Sequence, residues 1–142
     1  MEFQTRFAAY GVLVDAHERI LLALWNGGSR GRWTMPGGGA ELTETPEETM
    51  VREVAEESGY QVEPVRLLGL VTDWISAERR LHGTGPLKVV RAVYEARITG
   101  GELRNEIGGS TDEARWIPLT EVTGLDRVEL VDAALALWRD SR

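Results

Sequence analysis

The sequence contains no cysteine. That excludes disulfides and thiolate metal ligands, and it agrees with a reducing compartment. Histidine is scarce: His17 and His82 are the only two, too few for a multi-histidine metal centre. No apolar run approaches a membrane span, and Met1–Glu2–Phe3–Gln4–Thr5–Arg6 has no basic segment leading into an apolar core. A soluble cytoplasmic protein without membrane attachment is the expectation. Positive charge is also short: 16 Lys and Arg stand against 23 Asp and Glu, a net charge of −7. The balance argues against a nucleic-acid polymer as partner. Small anionic nucleotides stay open, because a bound metal and a few local arginines can set the field inside a cleft. There is no repeat, no low-complexity tract and no loop of alternating oxygen ligands for calcium. The 142 residues suit one domain over 1–142, large enough for a core without staples.

What the chain does have is a concentration of glutamate after a run of glycine, from Gly37 to Tyr60. Thr45 suits an N-cap, Pro46 the first helical position, Glu48 the third residue of a capping box and Gly59 the position after the helix, which predicts a helix over Pro46–Ser58. At roughly 100° per residue, Glu53, Glu56 and Glu57 share one arc while Met50, Val51, Val54 and Ala55 form an apolar one. Three carboxylates at i, i+3 and i+4 repel one another in a bare helix. A divalent cation reverses that sign, and an all-oxygen set suits hard ions such as Mg²⁺ or Mn²⁺. Arg52 can pair with Glu56 one turn on or reach back to an acid in the preceding loop.

The spacing resembles the signature of the Nudix hydrolases: Gly38, five residues, Glu44, seven residues, Arg52–Glu53–Val54, one residue, Glu56–Glu57, one residue, Gly59–Tyr60. The lead-in Trp33–Thr34–Met35–Pro36–Gly37–Gly38 is similar to the family's, and Thr43 departs from the glycine many members carry there. The resemblance implies that the Gly37 carbonyl, Glu53, Glu56 and Glu57 hold one to three Mg²⁺ ions, with Mn²⁺ as substitute. It further implies that Glu44 orients Arg52 or supports the metal shell, and that Glu53 or a later loop glutamate accepts the proton from water. Members often supply a further glutamate from the loop before the last strand, as an additional metal ligand or as the base. Glu106 and Glu113 are the candidates, with Asp112 a weaker third, and the sequence does not choose between them.

Around this segment, Phe3–Ala9 and Tyr10–Asp15 read as extended, Asp15–Arg19 as a turn and Ile20–Trp25 as a buried strand, suggesting a hairpin at the centre of a mixed sheet. Asn26–Arg32 is a glycine-rich loop whose Arg30 and Arg32 are candidates for substrate phosphates. Gln61–Pro64 reads as a turn and Val65–Asp73 as a strand. Trp74–Pro86 reads as a loop over the cleft, where Arg79, Arg80 and His82 can form a basic lip. Lys88–Thr99 alternates as a strand that places Arg91 either at its wet end or in the cleft. Glu102–Glu106 suggests a short returning strand, Glu113–Leu119 a last strand, and Asp126 an N-cap for a helix over Arg127–Arg139. The expected architecture is α/β, an α/β/α sandwich with a mixed central sheet between the two helices, which the resemblance also implies.

The resemblance further implies metal-assisted hydrolysis of a diphosphate bond in a nucleoside diphosphate linked to a second moiety. The region Thr72–Ala77 has none of the markers of the ADP-ribose, dinucleoside-polyphosphate or NADH subgroups. That shifts the expectation toward a nucleoside triphosphate, noncanonical or oxidised bases included. ADP-ribose or a nucleotide sugar is the alternative substrate, and a non-catalytic nucleotide-binding module the alternative class. Homodimers are common in the family, and no stretch here specifies an interface.

Overall fold

The computed structural model describes the chain from Met1 to Arg142. Seven strands form two sheets. The larger is mixed, in the order β4 (Gly37–Gly39), β1 (Gln4–Val12), β6 (Leu87–Gly101), β5 (Tyr60–Ile75), with β1 parallel to β6 and the other pairs antiparallel. The smaller is antiparallel, with β2 (Arg19–Trp25) between β3 (Arg32–Thr34) and β7 (Thr111–Pro118).

Two helices cover opposite faces, as the period-2 alternation of the strands requires. Ala9, Leu21, Ala92, Tyr94 and Ala114 turn toward α1 (Pro46–Ser58), where Met50 and Val54 complete one buried cluster. Val12, Ile20, Leu22, Val93 and Ile117 turn the other way, toward α2 (Glu129–Asp140) and its Val131, Ala134 and Leu135. Each fully buried Leu, Ile or Val contributes about 1.5–3 kcal/mol relative to exposure, so the two clusters hold the sheets and helices as one sandwich.

Helix α1 has the expected ends. Glu48 N–H donates to Thr45 Oγ1, Thr45 N–H donates to Glu48 Oε1, and Gly59 closes the helix at φ 83° with its N–H on the Ala55 carbonyl. At the far end Tyr60, the last residue of the motif, accepts from Trp116 Nε1 at 3.1 Å, tying β5 to β7 beneath α1.

Four local expectations are corrected. β1 and β2 are not a central hairpin: they lie in different sheets and meet near the Asp15–Arg19 turn, where Leu21 N–H donates to the Leu13 carbonyl, Asp15 N–H to the Arg19 carbonyl, and Val14 bridges Ile20. Gln61–Pro64 is strand, not turn, because β5 is an edge strand and Pro64 sits at a register shift where the ladder tolerates a missing N–H. Glu102–Glu106 forms no strand; Arg104 N–H is taken by the Ser58 carbonyl and Asn105 by Ala114 N–H. Asp126 does not cap α2, which starts three residues later. Its carboxylate is held by Arg30, and its carbonyl accepts from Trp33 N–H, which draws 126–128 alongside β3.

Candidate active site

The site forms where α1 runs along the free edge of β4. Gly11 N–H donates to the Pro36 carbonyl and Ala40 N–H to the Phe7 carbonyl, so by antiparallel alternation Gly37 and Gly39 turn their own groups away from β1. Both meet α1. Gly37 N–H donates to Glu57 Oε2 at 2.7 Å, and the Gly39 carbonyl accepts from Arg52 Nη2 at 3.1 Å. The Gly37 carbonyl belongs to this same edge. Gly38, between them, faces the other way: a Cβ there would lie 2.8 Å from the Glu53 carboxylate. A side chain at Gly38 would displace the Glu53 carboxylate from the place it takes here.

Arg52 organises the loop side. Its Nε donates to Glu44 Oε2 at 2.5 Å and its Nη2 to Glu44 Oε1 at 2.9 Å, a bidentate pair, while Nη1 reaches Glu53 at 3.0 Å and Glu56 at 3.3 Å. Both pairings open to Arg52 in the sequence are thus made, with the loop acid the tighter. Glu44 also accepts from Glu41 N–H and from Thr49 Oγ1, so the whole Gly39–Glu44 loop is tied to the helix. The Arg52 guanidinium, helped by those donors, pulls the Glu44 carboxyl down to about 2. The same contacts, Glu44 first, push Arg52 further up.

Glu57 is in the opposite situation. It is 2% exposed, and burial pushes its carboxyl up to about 9 against the single opposing Gly37 N–H, with Glu53, Glu106 and Glu56 adding repulsion. Glu53 is raised by burial too, partly offset by Arg52. The charge of Glu106 adds a small repulsion at both Glu53 and Glu57. Its position is set by Thr111, whose Oγ1 and N–H donate to Glu106 Oε1 at 3.0 and 3.3 Å.

Of the two loop acids, Glu113 is turned away from this group. Glu113 lies in β7 on the face of Arg115 and Ile117, opposite to Ala114 and Trp116, which pack toward α1. It pairs with Arg115 at 2.6 Å. A one-residue step in a strand has put it on the wrong side for the box. Asp112 is also engaged elsewhere, accepting from Asn26 Nδ2. Among the candidate cations, Arg30 is committed to Asp126 at 2.5 Å, and Arg32 stacks over Trp25 at 5.6 Å. Arg80 holds its own loop through the Thr84 and Gly85 carbonyls and Gln4. Arg79 ends a short 3-10 turn, Ala77–Arg79, and Arg91 stands half-buried in β6. Two residues that escaped the sequence reading hold these acids in place: Thr49 on Glu44 and Thr111 on Glu106. Nothing local to Thr111 foretells its partner.

Compared with known proteins, the family model for the NUDIX domain matches residues 4–138. The chain belongs to the Nudix family. A human Nudix protein named as an 8-oxo-dGDP phosphatase is 40% identical over 95 residues, covering 66% of this chain and 26% of that protein. An ADP-ribose pyrophosphatase of Methanocaldococcus jannaschii is 30% identical over 118 residues, covering 83% of this chain and 64% of its own length. Other curated relatives are covered over 32 to 38% of their length, so the chain spans about a third of them. In fold, this Nudix domain superposes on a hydrolase of the same family from Nitrosomonas europaea with a TM-score of 0.81 and 18% identity, over 97% of this chain and 90% of the other. No helix of the domain is long and apolar enough to cross a membrane.

Proposed function

We propose that this Nudix domain hydrolyses a diphosphate bond in a nucleoside diphosphate linked to a second group, with a nucleoside triphosphate, oxidised or otherwise noncanonical bases included, as the first substrate class. One observation carries the reading. Glu57 is buried without a cationic partner, against a glycine strand, with Glu53 and Glu106 adding repulsion. A fold keeps such a costly cluster where a cation is to be bound.

Members of the family generally use divalent cations, and the donor chemistry fits one. Every nearby ligand is oxygen, the arrangement hard ions prefer. The acids do not stand as a ready three-carboxylate cage: Glu53 and Glu56 lean on Arg52, and Glu57 on Gly37 N–H. Gly37 through its carbonyl, with Glu53, Glu56 and Glu57, would hold Mg²⁺, or Mn²⁺ in its place. Bound there, the ion supplies charge neutralisation for the phosphate oxygens and a more acidic water.

The protein's own groups do the rest. Arg52 fixes Glu44, the glycine strand and the helix acids in one frame, so the carboxylates meet the substrate without reorganising. Glu53 or Glu106 takes the proton of the attacking water, and burial raises the basicity of Glu53. The balance is nucleoside triphosphate plus water giving nucleoside monophosphate and pyrophosphate. Small nucleotides in the cytoplasm, rather than nucleic-acid polymers, are the partners this reading requires.

Assaying a panel of nucleoside triphosphates, ADP-ribose, dinucleoside polyphosphates and nucleotide sugars with Mg²⁺ and then Mn²⁺ tests the proposal. Pyrophosphate and a monophosphate are expected. AMP with ribose phosphate would select ADP-ribose, a second reading supported by the relative named for that activity. Binding with no product from any member would leave only a nucleotide-binding module.

A further inference from the structure

The strand register places two arginines together on the face of the larger sheet opposite α1. In the parallel pair of β1 with β6, Arg6 lies across from Val89 and Arg91 across from Ala8. Residues directly across share a face, so Arg6, Ala8, Val89 and Arg91 all point the way of Tyr10, Val12 and Val93, which pack toward α2. Arg6 and Arg91 are diagonal neighbours about 7–8 Å apart. The fully buried Ala8 lies between them.

Arg6 also touches the site. Its guanidinium lies over Gly39, where an added Cβ would come within 2.8 Å of Nη2 and 3.0 Å of Nε. The neighbouring Gly38 carries the Glu53 carboxylate against its other face. One strand thickness therefore separates the acidic group from a cation. Eight of the thirteen other arginines pair with a carboxylate, Arg19, Arg66, Arg97 and Arg142 among them. Arg6 and Arg91 have none. Asp73, across from Val89 on the same face, turns its Oδ1 to Trp74 N–H instead. Two arginines on one face of one sheet without a carboxylate partner favour an anion there.

We propose that Arg6 and Arg91 form a receptor for the phosphate chain of the substrate on the face opposite the carboxylates. The scissile phosphate lies at the edge of β4, and its non-reacting neighbour crosses Gly39 to the two guanidinium groups. This rests on the hydrolase reading for its substrate, though the anion site stands or falls separately. Both residues are binding groups; neither meets the reacting atoms.

The test is calorimetric titration of inorganic pyrophosphate in EDTA at low salt, on wild type, Arg6→Ala, Arg6→Lys, Arg91→Gln and the Arg6→Ala/Arg91→Gln double variant. Steady-state kinetics on the best nucleotide of the panel and thermal midpoints accompany it. Each arginine loss is expected to weaken pyrophosphate about tenfold and to raise KM similarly while kcat stays within about threefold; Arg6→Lys retains part of the binding. Pyrophosphate affinity and KM unchanged in the double variant would overturn the receptor while leaving the hydrolase reading intact. If wild type cleaves nothing yet binds pyrophosphate in an arginine-dependent way, the function fails and the receptor survives. No pyrophosphate binding by wild type would overturn the receptor outright.

Discussion

The two ends of the glutamate motif hold the same side chain in opposite states. Glu44, in the loop, is surrounded by donors and sits down at about 2; Glu57, at the last turn of α1, is buried with one N–H and sits up at about 9. The difference teaches which part of the motif is finished within the chain and which is left open. The Arg52–Glu44–Thr49 end is a closed network, satisfied by its own partners. At the other end Glu57 is buried with no cationic partner and one N–H, that of Gly37, on its carboxyl.

The sharpest way to break the contrast is Glu57→Gln. We expect turnover to fall roughly 10²–10³-fold, the scale of losing one preorganised electrostatic group, while metal-free stability rises at pH 8. The sign follows from linkage. A carboxyl raised from 4.5 to about 9 holds its proton more tightly folded than unfolded. Metal-free stability is therefore greatest below pH 4.5 and declines as pH climbs toward 9. A neutral glutamine removes that decline, read as a melting temperature that no longer drops between pH 6 and 9. Unchanged turnover would take Glu57 out of the site.

Next in size is Arg52→Ala, which frees Glu44 and the glycine strand together and should cost about 10–100-fold, as with supporting partners elsewhere. Arg52→Lys should recover little, because a point charge cannot make the bidentate pair and the Gly39 contact at once. Full recovery by lysine would mean that charge alone matters there. Comparing Glu106→Gln with Glu113→Gln sharpens the boundary of the open end: about tenfold or more for the first, and within about twofold for the second, by kcat at fixed metal concentration. Equal losses would contradict the separation of faces in β7.

The smallest effect belongs to the closed end. A carboxyl depressed to about 2 adds stability that is fully present above 4.5 and is lost as pH falls through 2. An acid titration of Glu44→Gln should therefore show a flatter loss between pH 4.5 and 2 than wild type. Identical profiles would mean the network is not coupled to folding.

Much of this was legible before any coordinates. Thr45, Pro46, Glu48 and Gly59 declared both ends of α1 because capping is a local interaction, satisfied within a few residues. The three helix acids share a face for the same reason. The choice between Glu106 and Glu113 was not legible, since each lies within reach of the last strand and only the parity of β7 separates them. Nor was the displaced start of α2, where a tertiary contact between Arg30 and Asp126 overrides a good local cap. Nor was the pairing of Arg6 with Arg91 on one face, which is supplied by a parallel pairing across the middle of the chain.

By itself, then, the sequence determined the motif, its helix and the kind of atoms it offers, all set by spacing along one short segment. Tertiary structure decided the rest: that β4 turns the Gly37 and Gly39 peptides toward that helix, that burial holds Glu57 near 9 while Arg52 holds Glu44 near 2, and that Glu113 is turned to the other face of β7. Desolvation and strand parity depend on what packs against a residue from elsewhere in the chain, and no local spacing encodes them.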